Sequence, residues 1–274
     1  MDESARSTGA TPATEISVVI PVYNEVENLP LLMEELDGIL KQLGKGYEVI
    51  FVDDGSTDGS YQVLEKMAGR DPHIKVIRFK RNAGQTSAYD AGFRLAKGEI
   101  VITLDGDLQN DPLDIPLLVE KMGEYDMVCG VRVRRADTWI RLISSVIANY
   151  VRNRLSEEDV TDTGCSLKAY RGIYVQKLKL FNGLHRFLPT LIKMEGARVT
   201  EVPVHHRPRR YGKSKYNISN RIVRSFVDLL AVRWMKKRQL RYEIEEVLNE
   251  SSVNPGTGRT GILLYEVLDP VDRL

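Results

Sequence analysis

Short apolar segments alternate with stretches of helical periodicity through the first half of the chain, and this alternation limits the folds that it can adopt. The helical stretches are roughly 10–15 residues long, as in chains that build parallel sheets. Such an alternation predicts an α/β fold, with a mostly parallel central sheet and helices on both faces. The predicted strands are residues 16–21, 47–52, 74–79, 99–104 and 127–130.

A polar cluster follows each of the first four predicted strands, at residues 22–25, 53–56, 81–84 and 105–109. One such cluster alone is more typical of a loop or a helix cap. In a parallel sheet, however, ligands bind outside the carboxyl ends of the strands, so four clusters in register predict one shared crevice. The chain has neither G-x-G-x-x-G after its first strand nor G-x-x-x-x-G-K-S/T anywhere, which excludes the usual dinucleotide fingerprint and the P-loop.

Asp105 and Asp107 flank Gly106 directly after the fourth predicted strand. Alternate residues that leave a strand point to the same side, so we expect both carboxylates to face one point. Two such carboxylates repel each other unless a proton or a cation separates them. A hard divalent cation fits, because it takes oxygen ligands and commonly keeps substrate phosphates in its shell. Gln109 continues the alternation as a further oxygen donor; a surface turn rich in Asp and Gly is the alternative interpretation.

Asp53 ends the second predicted strand, where a carboxylate suits the N–H and hydroxyl donors of a nucleobase or a ribose. A cation held by few protein ligands typically neutralises the charge that develops on a diphosphate leaving group. Together these features predict a nucleotide diphosphate that carries a group to be transferred.

The net charge of +1 hides a sharp asymmetry along the chain. Residues 131–241 (the basic segment) contain 25 of the 39 Lys and Arg residues and 8 of the 38 Asp and Glu residues, so the net charge of the segment is +17. The remainder of the chain has a net charge of −16. We expect the basic segment to meet an anion: a nucleic acid, a phosphorylated small molecule or a lipid surface. A solvated basic face is the alternative.

Several residues of the basic segment suit an anionic acceptor. Residues 137–155 have the apolar stripe of an amphipathic helix, which packs on the sheet or lies on a membrane surface. Arg141 and Ser145 are four residues apart and therefore share a helical face; with Arg132 they form a predicted phosphate grip. Asp162 is the carboxylate best placed to orient an acceptor or take a proton, unless it caps a turn.

Residues 207–215 contain five cations together with Pro and Gly, which predicts a mobile loop that can close over phosphates. His185, at the start of a predicted helix, is a second candidate for the crevice, although a lone histidine is usually structural. Cys129 and Cys165 lack metal-site spacing, so we expect two half-buried cysteines that act as small hydrophobic residues in a reducing compartment such as the cytoplasm.

The sequence predicts four segments. Residues 1–14 form a disordered tail, 15–225 a catalytic domain, 226–250 a C-terminal helix for a membrane surface or an oligomer contact, and 251–274 a tail without an assignable role. No window holds the roughly 18 uncharged apolar residues that span a bilayer. We therefore expect a chain that does not cross a membrane but can lie on its cytoplasmic face.

Six motifs together resemble glycosyltransferase family 2 with the GT-A fold, a Rossmann-like α/β architecture. The nearest resemblance is to the group of dolichyl-phosphate mannose synthases and polyprenyl-phosphate glycosyltransferases. The motifs are VVIPVYNE (18–25), VDDGSTDGS (52–60), RNAGQTSAYDAG (81–92), LDGDLQNDP (104–112), DTGCS (162–166) and RRYGKSKY (209–216).

The resemblance implies an inverting transfer of a sugar from a UDP- or GDP-linked donor to a polyprenyl or dolichyl phosphate. It places the donor nucleotide at Pro21, Tyr23, Glu25, Asp53 and Asp105. It places Mg²⁺ or Mn²⁺ at Asp105, Asp107 and Gln109. It places the acceptor phosphate at Arg132, Arg141 and Ser145, with Arg209, Ser214 and Lys215 on a closing loop.

The implied chemistry needs no strong general base, because a lipid phosphate is largely dianionic at neutral pH and is already a nucleophile. Catalysis then rests on positioning and charge neutralisation, with Asp107 and Arg132 central and Asp162 in a supporting role. Many members of the family carry transmembrane helices after the catalytic domain, whereas this chain continues into a charged stretch. That departure predicts a peripheral enzyme, a membrane-anchoring partner or a soluble acceptor.

Three alternatives stay open. A family 2 enzyme can also transfer to a soluble glycan or protein. A nucleotide- or RNA-binding module without transfer chemistry would explain the basic segment, but few aromatic residues there are available for base stacking, so we expect no nucleic-acid partner. A nucleotidyltransferase also uses paired carboxylates with a metal, and it would release pyrophosphate instead of a nucleoside diphosphate.

Overall fold

The computed structural model describes residues 14–133, 160–211 and 218–240, with the side chains of the last segment from residue 226 onward. Over these residues the chain forms a seven-stranded sheet in the order β3-β2-β1-β4-β6-β5-β7. The strands are β1 (Ile16–Val22), β2 (Tyr47–Asp53), β3 (Ile74–Arg78), β4 (Ile100–Thr103), β5 (Met127–Arg132), β6 (Lys168–Arg171) and β7 (Val199–Val204).

Helices connect most of these strands. They are α1 (Leu29–Gln42), α2 (Ser60–Ala68), α3 (Gln85–Leu95), α4 (Ile115–Lys121), α5 (Gly172–Lys177), α6 (Leu188–Met194) and α7 (Ile218–Lys237). Two short 3-10 segments, Pro112–Asp114 and Leu184–Phe187, precede α4 and α6. The predicted amphipathic helix at residues 137–155 lies outside the described residues.

The pairing of the strands confirms the predicted mostly parallel sheet. β1 runs parallel to β2 and β4, β2 to β3, and β5 to β7, whereas β6 is antiparallel to both β4 and β5. The register sets Val22 beside Asp53 and Val19 beside Thr103. The carboxyl ends of β1, β2 and β4 therefore meet at one edge of the sheet, where parallel α/β sheets bind ligands.

Both faces of the sheet are buried, as the alternation along β1 illustrates. Val18 and Ile20 join the core that packs α1, α2 and α4 on one face, whereas Val19 joins the core that packs α3, α5 and α6 on the other. Alternate side chains of a strand point to opposite faces, so an almost wholly apolar strand is stable only between two helical layers. Cys129 and Cys165 are buried in the same two cores, more deeply than the predicted half-burial, because they lie within the sheet and its helical layers.

The last described helix, α7, belongs to the second core through Leu229 and Val232. It runs without a break through the predicted boundary between residues 225 and 226. In the described residues, no helix combines the length and the apolar character that a membrane span requires.

Candidate active site

The loops after β1 and β2 are tied together at the sheet edge. The backbone N–H of Asn24 donates to Ser56 Oγ (2.9 Å), and its side-chain Oδ1 accepts from the N–H of Thr57 (2.7 Å). The N–H of Glu25 donates to Ser60 Oγ (2.9 Å). These hydrogen bonds fix the first two polar clusters relative to each other, so two of the four predicted clusters lie side by side at the sheet edge.

Asp53 is fully buried at the end of β2. Its Oδ1 accepts from the N–H of Ser56 (3.1 Å), but its Oδ2 receives no hydrogen bond from any described residue. Arg78 Nε lies 3.8 Å from that oxygen, and its guanidinium stacks over the ring of Tyr61. A buried carboxylate oxygen without a donor is costly, so Asp53 suits a ligand that brings an N–H or hydroxyl group.

The neighbouring Asp54 has a structural task that the sequence analysis missed. Its carboxylate accepts from the N–H groups of Ala83 (2.6 Å) and Gly84 (2.9 Å) and from Asn82 Nδ2 (2.9 Å). Burial raises its pKa, against these hydrogen bonds. Asp54 therefore holds the third polar cluster, at the start of α3, against the second. The two adjacent aspartates, Asp53 and Asp54, were the feature of the sequence that could have indicated this role.

The prediction that strand alternation turns Asp105 and Asp107 toward one point was wrong. β4 ends at Thr103, and Gly106 and Asp107 lie in a turn in which Leu108 has a φ of 61°. The two carboxylates nevertheless interact: burial and the charge of Asp107 raise the pKa of Asp105 to about 6. The turn, and not strand alternation, brings them together.

Each of these two carboxylates has a definite partner. Gln85 Nε2 donates to Asp105 Oδ1 (2.8 Å) from the first turn of α3. Asp107 Oδ1 accepts from the N–H of Gln109 (3.1 Å), and its Oδ2 accepts from Arg209 (2.5 Å). Arg209 also donates to Glu25 (3.3 Å), so a guanidinium bridges a predicted donor residue, Glu25, and a predicted metal ligand, Asp107.

The remaining predicted donor and metal residues lie around this turn. The carbonyl oxygen of Pro21 lies 3.4 Å from the position that a Cβ on Gly106 would take. Tyr23 follows β1 and is half-buried. The side chain of Gln109 points to the segment after β7, with Nε2 3.5 Å from both the carbonyl oxygen of Arg207 and the Nε2 of His206.

Arg132, at the end of β5, forms a two-pronged ion pair with Asp162. Its Nε donates to Oδ2 (2.7 Å) and its Nη2 donates to Oδ1 (2.8 Å). Asp162 Oδ1 also accepts from the N–H of Gly164 (3.2 Å). Both carboxylate oxygens are therefore engaged, and Asp162 holds Arg132 in place.

The segment after β7 is anchored by Arg207, which the sequence analysis counted only as one of five cations. Its guanidinium donates to Glu35 on α1 (2.7 Å) and to Asp111 (2.6 and 3.1 Å). His205 adds an ion pair to Asp114 (2.8 Å). Arg209 is thereby held over the Asp107 turn. Four further predicted acceptor residues, Arg141, Ser145, Ser214 and Lys215, lie outside the described residues.

A partly open cleft with a cavity volume of about 120 Å³ lies beside Asp105. Its wall includes Gln85, Lys168 and His185, of which the sequence analysis singled out only His185. Lys168 is buried, and its ammonium donates to the carbonyl oxygens of Thr163 and Cys165. Among the described residues, no three His, Cys, Asp or Glu side chains cluster in a way that would hold a metal ion.

Comparison with known proteins adds to this geometry. A family model described as glycosyl transferase family 2 matches residues 17–178. Glucosyl-3-phosphoglycerate synthase from Mycobacterium tuberculosis, solved with Mn²⁺, UDP and phosphoglyceric acid, is similar over 83% of this chain and 80% of that chain, with 18% identity and a TM-score of 0.60.

A mannosyltransferase from Pyrobaculum calidifontis, PcManGT, was solved with GDP-Man and Mn²⁺. It is similar over 85% of this chain and 67% of that chain, with 22% identity and a TM-score of 0.56. At these identities the structures establish that the fold is shared, and the family model identifies the stretch that carries the shared sequence pattern.

Proposed function

This chain belongs to glycosyl transferase family 2, and on that premise we propose that it moves a sugar, with inversion, from a nucleotide diphosphate donor to a polyprenyl or dolichyl phosphate. One observation carries the proposal. The Asp105 carboxylate lines the cleft, and it lies close enough to Asp107, Lys168 and Arg132 for their charges to act on its pKa. This proximity supports a site in which the predicted metal and donor residues lie near the predicted acceptor residue Arg132.

The donor set fits a divalent cation, Mg²⁺ or Mn²⁺. Asp105 and Asp107 supply carboxylate oxygens, which hard divalent cations prefer, and their mutual repulsion favours a positive charge between them. Arg209 already places a positive charge across Asp107 and Glu25. A bound cation would neutralise charge on the leaving diphosphate. The Mn²⁺ in both similar structures supports this assignment.

The nucleoside of the donor would lie along the ends of β1 and β2. Asp53 Oδ2 offers a buried acceptor for an N–H or hydroxyl group. Pro21, Tyr23 and Glu25 are the other residues that we assign to the donor nucleotide. UDP and GDP-Man in the similar structures support a nucleotide diphosphate, and a UDP- or GDP-linked sugar is our proposal for this chain.

The acceptor phosphate would bind at Arg132, whose guanidinium Asp162 holds in a fixed plane. A dianionic phosphate needs positioning and no proton acceptor, so a carboxylate that is fully engaged by an arginine suits this reaction. We assign Arg141, Ser145, Ser214 and Lys215 to the same phosphate, with Arg209 on the closing loop.

The exposed face of α7 supports a lipid acceptor. Phe226, Leu230 and Trp234 lie one helical turn apart and are about half exposed or more, and Lys236 and Lys237 follow at the end of the helix. An apolar face edged by cations is typical of helices that lie on an anionic membrane. We therefore propose a peripheral enzyme at the cytoplasmic face of a membrane; an oligomer contact or an anchoring partner would use the same face.

A transfer assay tests the proposal. The full chain is incubated with Mn²⁺, with sugar-labelled UDP-glucose or GDP-mannose, and with undecaprenyl phosphate, dolichyl phosphate or phosphoglyceric acid. We expect labelled glycolipid and a free nucleoside diphosphate. Transfer to phosphoglyceric acid alone would establish the second candidate, a soluble acceptor, which the phosphoglyceric acid in the similar synthase structure favours. Released pyrophosphate would instead indicate a nucleotidyltransferase.

A further inference from the structure

Lys168 lies at the edge of the sheet that carries the candidate site. It is the first residue of β6, and it pairs in register with Thr103, the last residue of β4. β6 runs antiparallel to β4, so the amino end of β6 lies at the carboxyl ends of the parallel strands. Parallel α/β sheets bind ligands at that edge, and Lys168 is one of the residues that line the cleft.

The ammonium of Lys168 is buried without a carboxylate partner. Lys168 is 4% exposed, and among the described side chains it is the only buried lysine or arginine. Its Nζ donates to the carbonyl oxygens of Thr163 and Cys165, but no carboxylate oxygen of the described residues lies within 4.0 Å of it. An ammonium has three donors, so one N–H is left for an acceptor in the cleft. A buried charge without a counter-charge is costly, so this position favours an anion.

The nearby carboxylate of Asp105 is committed elsewhere. Burial and the charge of Asp107 raise the pKa of Asp105 to about 6, and the charge of Lys168 acts in the opposite direction. We assign the Asp105 carboxylate to the divalent cation, however, so it is not available to balance Lys168 during the reaction. The counter-charge of Lys168 then has to come from a substrate.

A second cation, Arg132, holds the same loop as Lys168, at residues 162–166. Arg132 pairs with the side chain of Asp162, and Lys168 binds two carbonyl oxygens of the loop. Between these contacts lies Gly164, which lines the cleft. A Cβ at Gly164 would lie 3.0 Å from Arg132 Nη2, so the guanidinium reaches the cleft wall. One anion in the cleft can therefore meet both cations.

The strand order separates these two cations from the donor nucleotide. β4, which leads to Asp105, lies between β1 and β2 on one side and β6 and β5 on the other. Most residues that we assign to the donor nucleotide lie at the ends of β1 and β2, whereas Lys168 begins β6 and Arg132 ends β5. An anion that meets both cations therefore lies across β4 from the nucleotide. A transfer with inversion requires an acceptor opposite the leaving group, and this placement fits one.

We propose that Lys168 is an acceptor-binding residue, whose ammonium donates to an oxygen of the acceptor's phosphate monoester while Arg132 holds the same phosphate. This inference rests on the proposed function and adds a second cation to its acceptor site. A polyprenyl phosphate and phosphoglyceric acid are both phosphate monoesters, so the inference applies to a lipid or a soluble acceptor. A purely structural Lys168 would hold only the loop carbonyls, and its loss would lower stability without a selective effect on phosphate.

Binding of phosphate monoesters tests the proposal. Calorimetry on the full chain measures the affinities for farnesyl phosphate, farnesol and phosphoglyceric acid and, with Mn²⁺, for UDP and GDP. We expect Lys168→Met, which has a similar length and no charge, to weaken binding of the monoester by about tenfold or more, the value of a hydrogen bond to a charged group. The affinities for farnesol and for the nucleoside diphosphate should stay as in wild type. Lys177→Met, which removes an exposed lysine at the end of α5, is the matched control.

Two further samples separate a folding defect from a binding defect. Lys168→Gln keeps an amide donor for the loop carbonyls, so it should melt at a higher temperature than Lys168→Met but bind the monoester as weakly. A crystal structure of wild type with the bound monoester needs no variant, and we expect a phosphate oxygen within about 3.2 Å of Lys168 Nζ.

Wild-type affinity for the monoester in Lys168→Met or Lys168→Gln, or a phosphate bound away from Lys168 Nζ in the crystal structure, would overturn the inference. A loss of affinity confined to UDP or GDP would also overturn it, because Lys168 would then serve the donor. Wild type that binds a nucleoside diphosphate but neither monoester would overturn the acceptor assignment alone. Wild type that binds neither class of ligand would overturn the proposed function as well, so the two failures are distinguishable.

Discussion

The acidic donor side and the basic segment hold their site residues by different means. On the donor side, Asp53 and Asp54 are fixed mainly by backbone N–H groups of nearby loops. In the basic segment, Arg132, Arg207 and Arg209 are each fixed by carboxylates. Backbone donors make a rigid site before any ligand arrives, whereas ion pairs can exchange one partner for another.

Two of these arginines pair across the charge division of the chain. Arg207 contacts Glu35 and Asp111, and Arg209 contacts Glu25 and Asp107, all outside the basic segment. Part of the excess positive charge thus meets the protein's own acidic residues. Arg132, in contrast, is held by Asp162 of the same segment, and we assign its guanidinium to an external anion.

The largest expected effect comes from the residue at the centre of the donor side. Asp107→Asn should lower turnover by about 10²-fold or more, because it removes one charge from a site with few ligands. Nucleoside diphosphate release measures the rate, and a thermal melt should show an intact fold. Asp90→Asn, on the exposed face of α3, is the matched control and should keep full activity. Near-wild-type turnover in Asp107→Asn would contradict the metal assignment.

The next largest effect is expected where Asp162 holds Arg132 in the basic segment. Asp162→Asn keeps the side-chain shape but loses the charge that orients Arg132, so we expect a fall of about 10²-fold in kcat/KM for the acceptor. A general base would behave differently, since its removal would also abolish the acidic limb of the pH–rate profile. An unchanged profile with weaker acceptor use supports the positioning role.

A smaller effect concerns the contact that joins the two sides. Arg209→Ala removes the guanidinium that shares the Asp107 carboxylate, so Mn²⁺ alone should bind a few-fold more tightly, as the paramagnetic resonance of free Mn²⁺ would report. Arg210→Ala, next along the chain, is the control. Equal Mn²⁺ affinity in both variants would show that Arg209 does not compete for this carboxylate.

The smallest effect is on the pair between the exposed His205 and the buried Asp114. The hydrogen bond and the charge of Asp114 raise the pKa of His205 above its usual 6.5. Because the folded pKa is raised, the pair contributes fully below about pH 6.5 and is lost as pH rises through the raised value. In Asp114→Asn the pKa of His205, measured by NMR, should fall toward 6.5. The same pKa in both proteins would mean that the pair does not form in solution.

Much of the architecture was predictable, because strands and helices leave periodic signals in short windows of sequence. The predicted strand at residues 16–21 became β1 (Ile16–Val22), and that at 47–52 became β2 (Tyr47–Asp53). The polar clusters at their ends were predictable for the same reason. The strand-based account of Asp105 and Asp107 failed because β4 already ends at Thr103 and the chain turns at Gly106 and Asp107, and no sequence pattern indicated so early an end.

The sequence by itself therefore determined the order of the layers, the edge of the sheet that carries the site, and the acidic turn at its centre. Only the tertiary structure decided which side chains complete that site. Arg209 reaches Asp107 across 102 residues, and His185 reaches Thr86 across 99. Such pairs depend on which distant segments of the chain the fold brings together, and the periodicity of a short sequence window gives no information about that.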